Sequence, residues 1–149
     1  MRLLLPLVAL LVAGGCSPRL SPPYRDYEVR SDATDLTAPL RDAAVAAGWD
    51  VIDGPNPSIV TTASREVDTG LGSRTEAALD LVPLSGGYVR VYIRAERRNW
   101  LGGRSKVYAL DGGLREAVLG ELSQALGARG LVPLGTPRDR DEDATDDAP

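Results

Sequence analysis

The chain contains no histidine and no phenylalanine, and its only cysteine is Cys16. Without histidine the usual general base for a serine or cysteine nucleophile is missing, which removes the commonest enzymatic designs. Without a second cysteine no intrachain disulfide can form, so packing alone must hold the fold. No apolar run is long enough to cross a bilayer comfortably, the best being Leu3 to Val12. Nor is there an excess of basic charge. The net charge is −4, and Arg138 to Asp147 carries six acids (Asp139, Asp141, Glu142, Asp143, Asp146, Asp147) against Arg138 and Arg140. The tail therefore sets the acidity and the body is close to neutral, so bulk charge gives no reason to expect a nucleic-acid partner.

What the N-terminus does hold is a positively charged start, Met1-Arg2, an apolar stretch of signal length, and the run Leu11-Val12-Ala13-Gly14-Gly15-Cys16. The small residues let an extended backbone enter a peptidase cleft, and the thiol behind them can take a diacylglycerol. This resembles the lipobox of bacterial lipoproteins, although Ala13 stands where that motif usually has leucine. The resemblance implies cleavage before Cys16, a lipidated first residue bearing palmitate-type chains, and a domain tethered in the cell envelope. Several chains make attachment effectively permanent, whereas one alone is marginal. In a Gram-negative source, Ser17 rather than aspartate after the cysteine implies sorting to the outer membrane, facing the periplasm. The alternative is an ordinary secretory signal cleaved near Gly15, which would leave an unpaired thiol on a secreted protein.

These signals divide the chain into a signal peptide (1–15), a lipidated N-terminus and proline-rich spacer (16–23), one domain (24–134) and a disordered acidic tail (135–149). The roughly 134 residues left after processing suffice for one modest core. Pro18, Pro22 and Pro23 favour an extended spacer. The tail has too little apolar surface to offset the entropy of ordering.

Within the domain, a short strand is expected at Tyr27 to Val29. A helix follows over Asp35 to Ala47, capped by Asp35 or Thr37, with Leu36, Leu40, Ala43, Ala44 and Ala47 on one face and Gly48 as its stop. Strands are expected at Trp49 to Asp53 and Ile59 to Val67, around the turn Gly54-Pro55-Asn56-Pro57. Glu76 to Leu84 and Tyr88 to Arg97 alternate around Ser85-Gly86-Gly87. A three-residue loop sets Leu81 opposite Val91, Leu79 opposite Ile93 and Ala77 opposite Ala95, which buries one clean face; a two-residue turn would set Asp80 against Ile93. On the other face Asp80 then lies opposite Tyr92 and diagonal to Arg90 and Arg94. Arg104 to Leu110 returns as a strand, a helix capped at Asp111 runs to about Leu126 with the stripe Leu114, Ala117, Val118, Leu122, Ala125 and Leu126, and Leu131 to Leu134 closes as a short strand. The expected fold is α+β in two layers, an antiparallel sheet of four to six strands with two helices on one face. Through Ala46-Ala47-Gly48-Trp49, Val51-Ile52 and Ile59-Val60-Thr61 the body resembles the helix-grip domains of BamC-type outer-membrane assembly lipoproteins. That likeness implies a place in an envelope protein complex.

No catalytic or metal site is expected and no cofactor. Asp50 with Asp53, and Glu66 with Asp68, read as strand-edge and turn polarity. The tail lacks the glycine turn of a calcium loop, and Gly102-Gly103 and Gly112-Gly113 are loops rather than phosphate cradles. One patch stands out: Arg94, Arg97, Arg98, Arg104 and Lys106 around Trp100, flanked by Tyr92 and Tyr108. It suits anionic lipid headgroups, lipopolysaccharide phosphates or an acidic protein, with Trp100 dipping into an interface. The plainer reading is a solvated hairpin whose Trp100 covers the sheet end, and a third is a contact for the chain's own acidic tail. The expected function is that of a membrane-anchored, non-enzymatic scaffold or accessory subunit. The alternative is a small-ligand or lipid-binding module with a cavity between helix and sheet.

Overall fold

The structure is a computed structural model that describes residues 21–30, 35–70 and 73–135. Cys16, the segment expected to be a signal peptide, most of the expected spacer and the acidic stretch after residue 135 lie outside the described residues. Strands β1 (Tyr24–Val29), β2 (Val51–Ile52), β3 (Val60–Thr62), β4 (Arg65–Gly70), β5 (Ser73–Leu84), β6 (Tyr88–Asn99), β7 (Arg104–Val107) and β8 (Leu131–Pro133) form one antiparallel sheet. Helices α1 (Thr37–Ala46) and α2 (Gly112–Gly127) complete the α+β fold.

The spine is the β5–β6 hairpin, two strands of 12 residues each. Gly86 and Gly87 turn it at positive φ (85° and 80°), where a Cβ is disfavoured. Its register is the expected one, with Leu81 opposite Val91, Leu79 opposite Ile93 and Ala77 opposite Ala95. So long a hairpin leaves each outer edge room for two short strands end to end. β3 and β4 share the free edge of β5, while β1 and β7 share that of β6. This is why the sheet reaches eight strands rather than four to six.

Ile59 to Val67, expected as one strand, is two. Thr61 faces Asp80, but Arg65 faces Ala77, so the register slips by one residue between them. At the break Ala63 N donates to Asp50 O at 2.8 Å, and Thr62 Oγ1 accepts from Leu79 N at 2.9 Å in place of a ladder carbonyl. The slip reverses the side-chain parity of β4, bringing Arg65 onto the face that Val60 and Thr62 occupy.

Helix α1 begins beside Asp35, whose Oδ1 accepts from Thr37 N at 2.8 Å, and stops at Gly48 (φ 73°), where Trp49 N donates back to Ala44 O at 2.9 Å. Asp111 caps α2 by accepting from Leu114 N at 2.8 Å. Leu40, Ala43 and Ala44 of α1 and Ala47 at its C-terminal cap meet Leu114, Val118, Leu119, Leu122 and Leu126 of α2 and the sheet residues Tyr27, Leu79, Leu81, Val89, Val91 and Ile93 in one core. The stripe of α2 differs from expectation at two places: Ala117 is exposed and Leu119 is buried. The alanines of α1 let the two helices approach each other and leave the large side chains of α2 to fill the layer.

Candidate functional site

Because β-strand side chains alternate, the parity that buries Leu79, Val91 and Ile93 sends Glu76, Asp80, Arg90, Tyr92, Arg94 and Arg98 to the opposite face. No element among the described residues covers this outer face, and Tyr24, Tyr88 and Leu84 stand exposed on it. Its charges are paired in a fixed order. Asp26 accepts from Arg90 through two bonds, Nε to Oδ1 at 2.7 Å and Nη2 to Oδ2 at 2.8 Å. Asp80, diagonal to both Arg90 and Arg94, takes Arg94, at 2.8 Å from Nε and 3.2 Å from Nη2. Glu76 takes Arg98 at 3.2 Å. The Arg90 guanidinium also lies 4.0 Å from the centre of the Tyr24 ring, itself 6.0 Å from that of Tyr92. The Asp26 carboxylate first, and Tyr92 second, hold the Arg90 pKa above the ordinary arginine value.

The sequence placed β1 too late, from Tyr27, and so missed the Tyr24–Arg90–Asp26 arrangement. Tyr24 and Asp26 are two apart, the spacing of one strand face, and that was the available signal.

The six residues singled out from sequence separate into three groups. Arg94, Arg98, Arg104 and Lys106 share the outer face, with Arg98 opposite Arg104 and Lys106 opposite Glu96. Arg97, opposite Thr75 and Ser105, has the other parity and projects from the helix side. Trp100 sits in the β6–β7 turn, 81% exposed, beside Leu101 at 75%. That turn is closely tied: Asn99 Oδ1 accepts from Gly103 N at 2.7 Å, Asn99 N donates to Gly103 O at 3.0 Å, and Gly102 takes φ 85°. A Cβ on Gly103 would come within 2.8 Å of the Asn99 side chain that ties the turn, and Gly102 holds a positive φ, so the turn itself favours glycine at both positions.

Asp50, Asp53, Glu66 and Asp68 are all exposed, and Glu66 lies 3.8 Å from Arg74. Among the described residues no three possible metal ligands converge, and no helix is long and apolar enough to cross a membrane. An open groove of about 550 Å³ runs along the outer face where β1 gives way to β7, lined by Pro22, Ala78, Arg94, Glu96, Lys106 and Tyr108 among others. No family model matches the chain, and no curated protein matches it.

Proposed function

We propose that this chain is a lipid-anchored envelope protein that works without catalysis, as a scaffold or accessory subunit offering a rigid surface to a neighbour. The carrying observation is the uncovered outer face, where tyrosines stand among arginines held in place by Asp26, Asp80 and Glu76. Exposed aromatic and arginine side chains with few free rotamers are what a protein-binding surface needs, because little entropy is lost on contact. Support for a scaffold over a small-ligand module comes from the layer between helices and sheet. Leu40, Ala43, Ala44, Leu79, Leu122 and Leu126 are fully buried there, and the groove lies outside that layer. Residues Leu11 to Cys16 supply the anchor.

The test is fractionation of cells expressing the full chain beside Cys16→Ala, with intact mass of the mature product. Acylated mass and membrane recovery for the wild type, both lost in Cys16→Ala, are expected. A mature product with a free thiol in the soluble fraction would overturn the anchoring half. Site-specific photocrosslinkers at Tyr24 and Tyr88 address the other half: crosslinks to one envelope protein are expected from these positions and not from Val45 on the helix layer. Equal crosslinking from all three would overturn the surface assignment.

A further inference from the structure

We infer that the Trp100-Leu101 turn is a second membrane contact, seated on an anionic bilayer at the same level as the lipid on Cys16; this rests on the lipoprotein reading above. The first observation is charge. One step below the turn, Arg74, Arg98 and Arg104 stand side by side on three adjacent strands of the outer face, with Arg97 next to them on the other face. Like charges directly opposite one another destabilise a sheet. Glu66 lies 3.8 Å from Arg74 and Glu76 3.2 Å from Arg98, whereas Arg97 and Arg104 have no acidic partner among the described residues. A layer of lipid phosphates supplies the missing anions.

The second observation is that the most exposed large apolar side chains of the described residues, Trp100 and Leu101, are adjacent at the tip that these cations ring. An indole and a leucine above a collar of arginines match the depth profile of a bilayer surface, with apolar groups below the phosphates and guanidiniums among them. The tied Asn99–Gly103 turn presents them already ordered.

The third observation is reach. Pro23 O accepts from Ile93 N at 2.8 Å, and β1 runs antiparallel to β6, so β1 followed backward to Pro23 points toward the Trp100 end. Pro22, in the groove with Arg94 and Lys106, is already on that course. From residue 93 to residue 100 the strand climbs roughly 24 Å at about 3.4 Å per residue. The equal count from residue 23 back to residue 16 spans at most about 23–25 Å when extended. A lipid on Cys16 and the Trp100 tip can therefore touch one plane, with the sheet standing on end and its outer face open to a partner beside the membrane.

The experiment uses the acylated mature chain reconstituted into vesicles of phosphatidylglycerol and phosphatidylethanolamine carrying brominated acyl chains. Trp49 is buried in the core and serves as an internal reference, isolated in Trp100→Phe. Bromolipid quenching and a blue shift in the wild type, absent in Trp100→Phe, are expected, as is about a tenfold or greater loss of the Trp100-dependent quenching in Arg97→Glu/Arg104→Glu with unchanged circular dichroism. Acylated protein whose Trp100 escapes bromolipid but is quenched by aqueous acrylamide would overturn the inference and leave the anchoring intact. An unacylated mature mass would overturn the anchoring and this inference with it, and is told apart by mass rather than by fluorescence.

Discussion

The guanidinium of Arg65 lies 3.7 Å from the centre of the Trp49 ring while its Nη1 donates to Gly48 O at 2.7 Å and to Ala47 O at 3.3 Å. One side chain thus closes the last turn of α1 and lids the largest residue of the core. A cation at a helix C-terminus is favoured by the helix dipole, and a planar guanidinium can stack and donate at once where an ammonium cannot. Arg65→Lys is therefore expected to lower stability by about 1 to 2 kcal/mol despite keeping the charge. Urea unfolding measures it, and an unmoved midpoint would show that the stack contributes nothing.

How far this was readable from sequence depends on the kind of signal. The β5–β6 register followed from parity, because the three-residue loop buries Leu79, Leu81, Val91 and Ile93 together where a two-residue turn would set Asp80 against Ile93. Both helices followed from spacing and from Asp111 and Gly48 at their ends. The slip that turns Arg65 inward had no such mark. Ile59 to Val67 reads as one stretch rich in β-branched residues, and the break depends on a tertiary bond from Ala63 N to Asp50 O. The patch is legible in the sequence as a list of cations, but its division between two faces and a turn depends on where β6 ends, at Asn99 rather than at the expected Arg97.

Tyr27 joins the two layers, its hydroxyl 2.8 Å from Ser123 Oγ of α2. Burial pushes its pKa above the ordinary tyrosine value near 10, partly offset by the Ser123 hydrogen bond. The sign follows from proton binding. The folded state holds this proton more tightly than the unfolded chain, so Tyr27's contribution is complete below pH ~10 and is lost as pH rises through the folded-state value. Stability should fall on alkaline titration above about pH 10. Tyr27→Phe should flatten that fall while costing about 1 kcal/mol at neutral pH through the lost hydrogen bond. Denaturant midpoints at pH 8 and pH 11 for both proteins decide it; parallel losses would remove Tyr27 as the cause.

Thr75 is 1% exposed, and its Oγ1 has no hydrogen-bond partner. A buried hydroxyl without a partner keeps its desolvation cost and returns nothing. Thr75→Val keeps the β-branched shape and removes that cost, so it should raise stability by about 1 kcal/mol, seen as a higher melting temperature. Destabilisation on this substitution would mean that an ordered water serves the hydroxyl in solution.

The lipid anchor proposed at Cys16 would load the fold at β1, the first described strand, and β1 is held at that end by Asp26. The Asp26 and Arg90 side chains keep 27% and 29% exposure, so two charge-assisted bonds here are worth more than an open surface pair, on the order of 1 kcal/mol. The pair also fixes Arg90 over Tyr24, closing the start of the strand. Asp26→Ala frees Arg90 and Tyr24 together. Hydrogen exchange should then speed up by about fivefold at the amides of residues 24–26, the equivalent of that 1 kcal/mol, while the β5–β6 amides hold their rates, because the β1–β6 ladder frays locally before the sheet unfolds. A uniform acceleration across the sheet would instead make Asp26 part of the global stability, and no acceleration would place the strength of β1 in its backbone ladder alone.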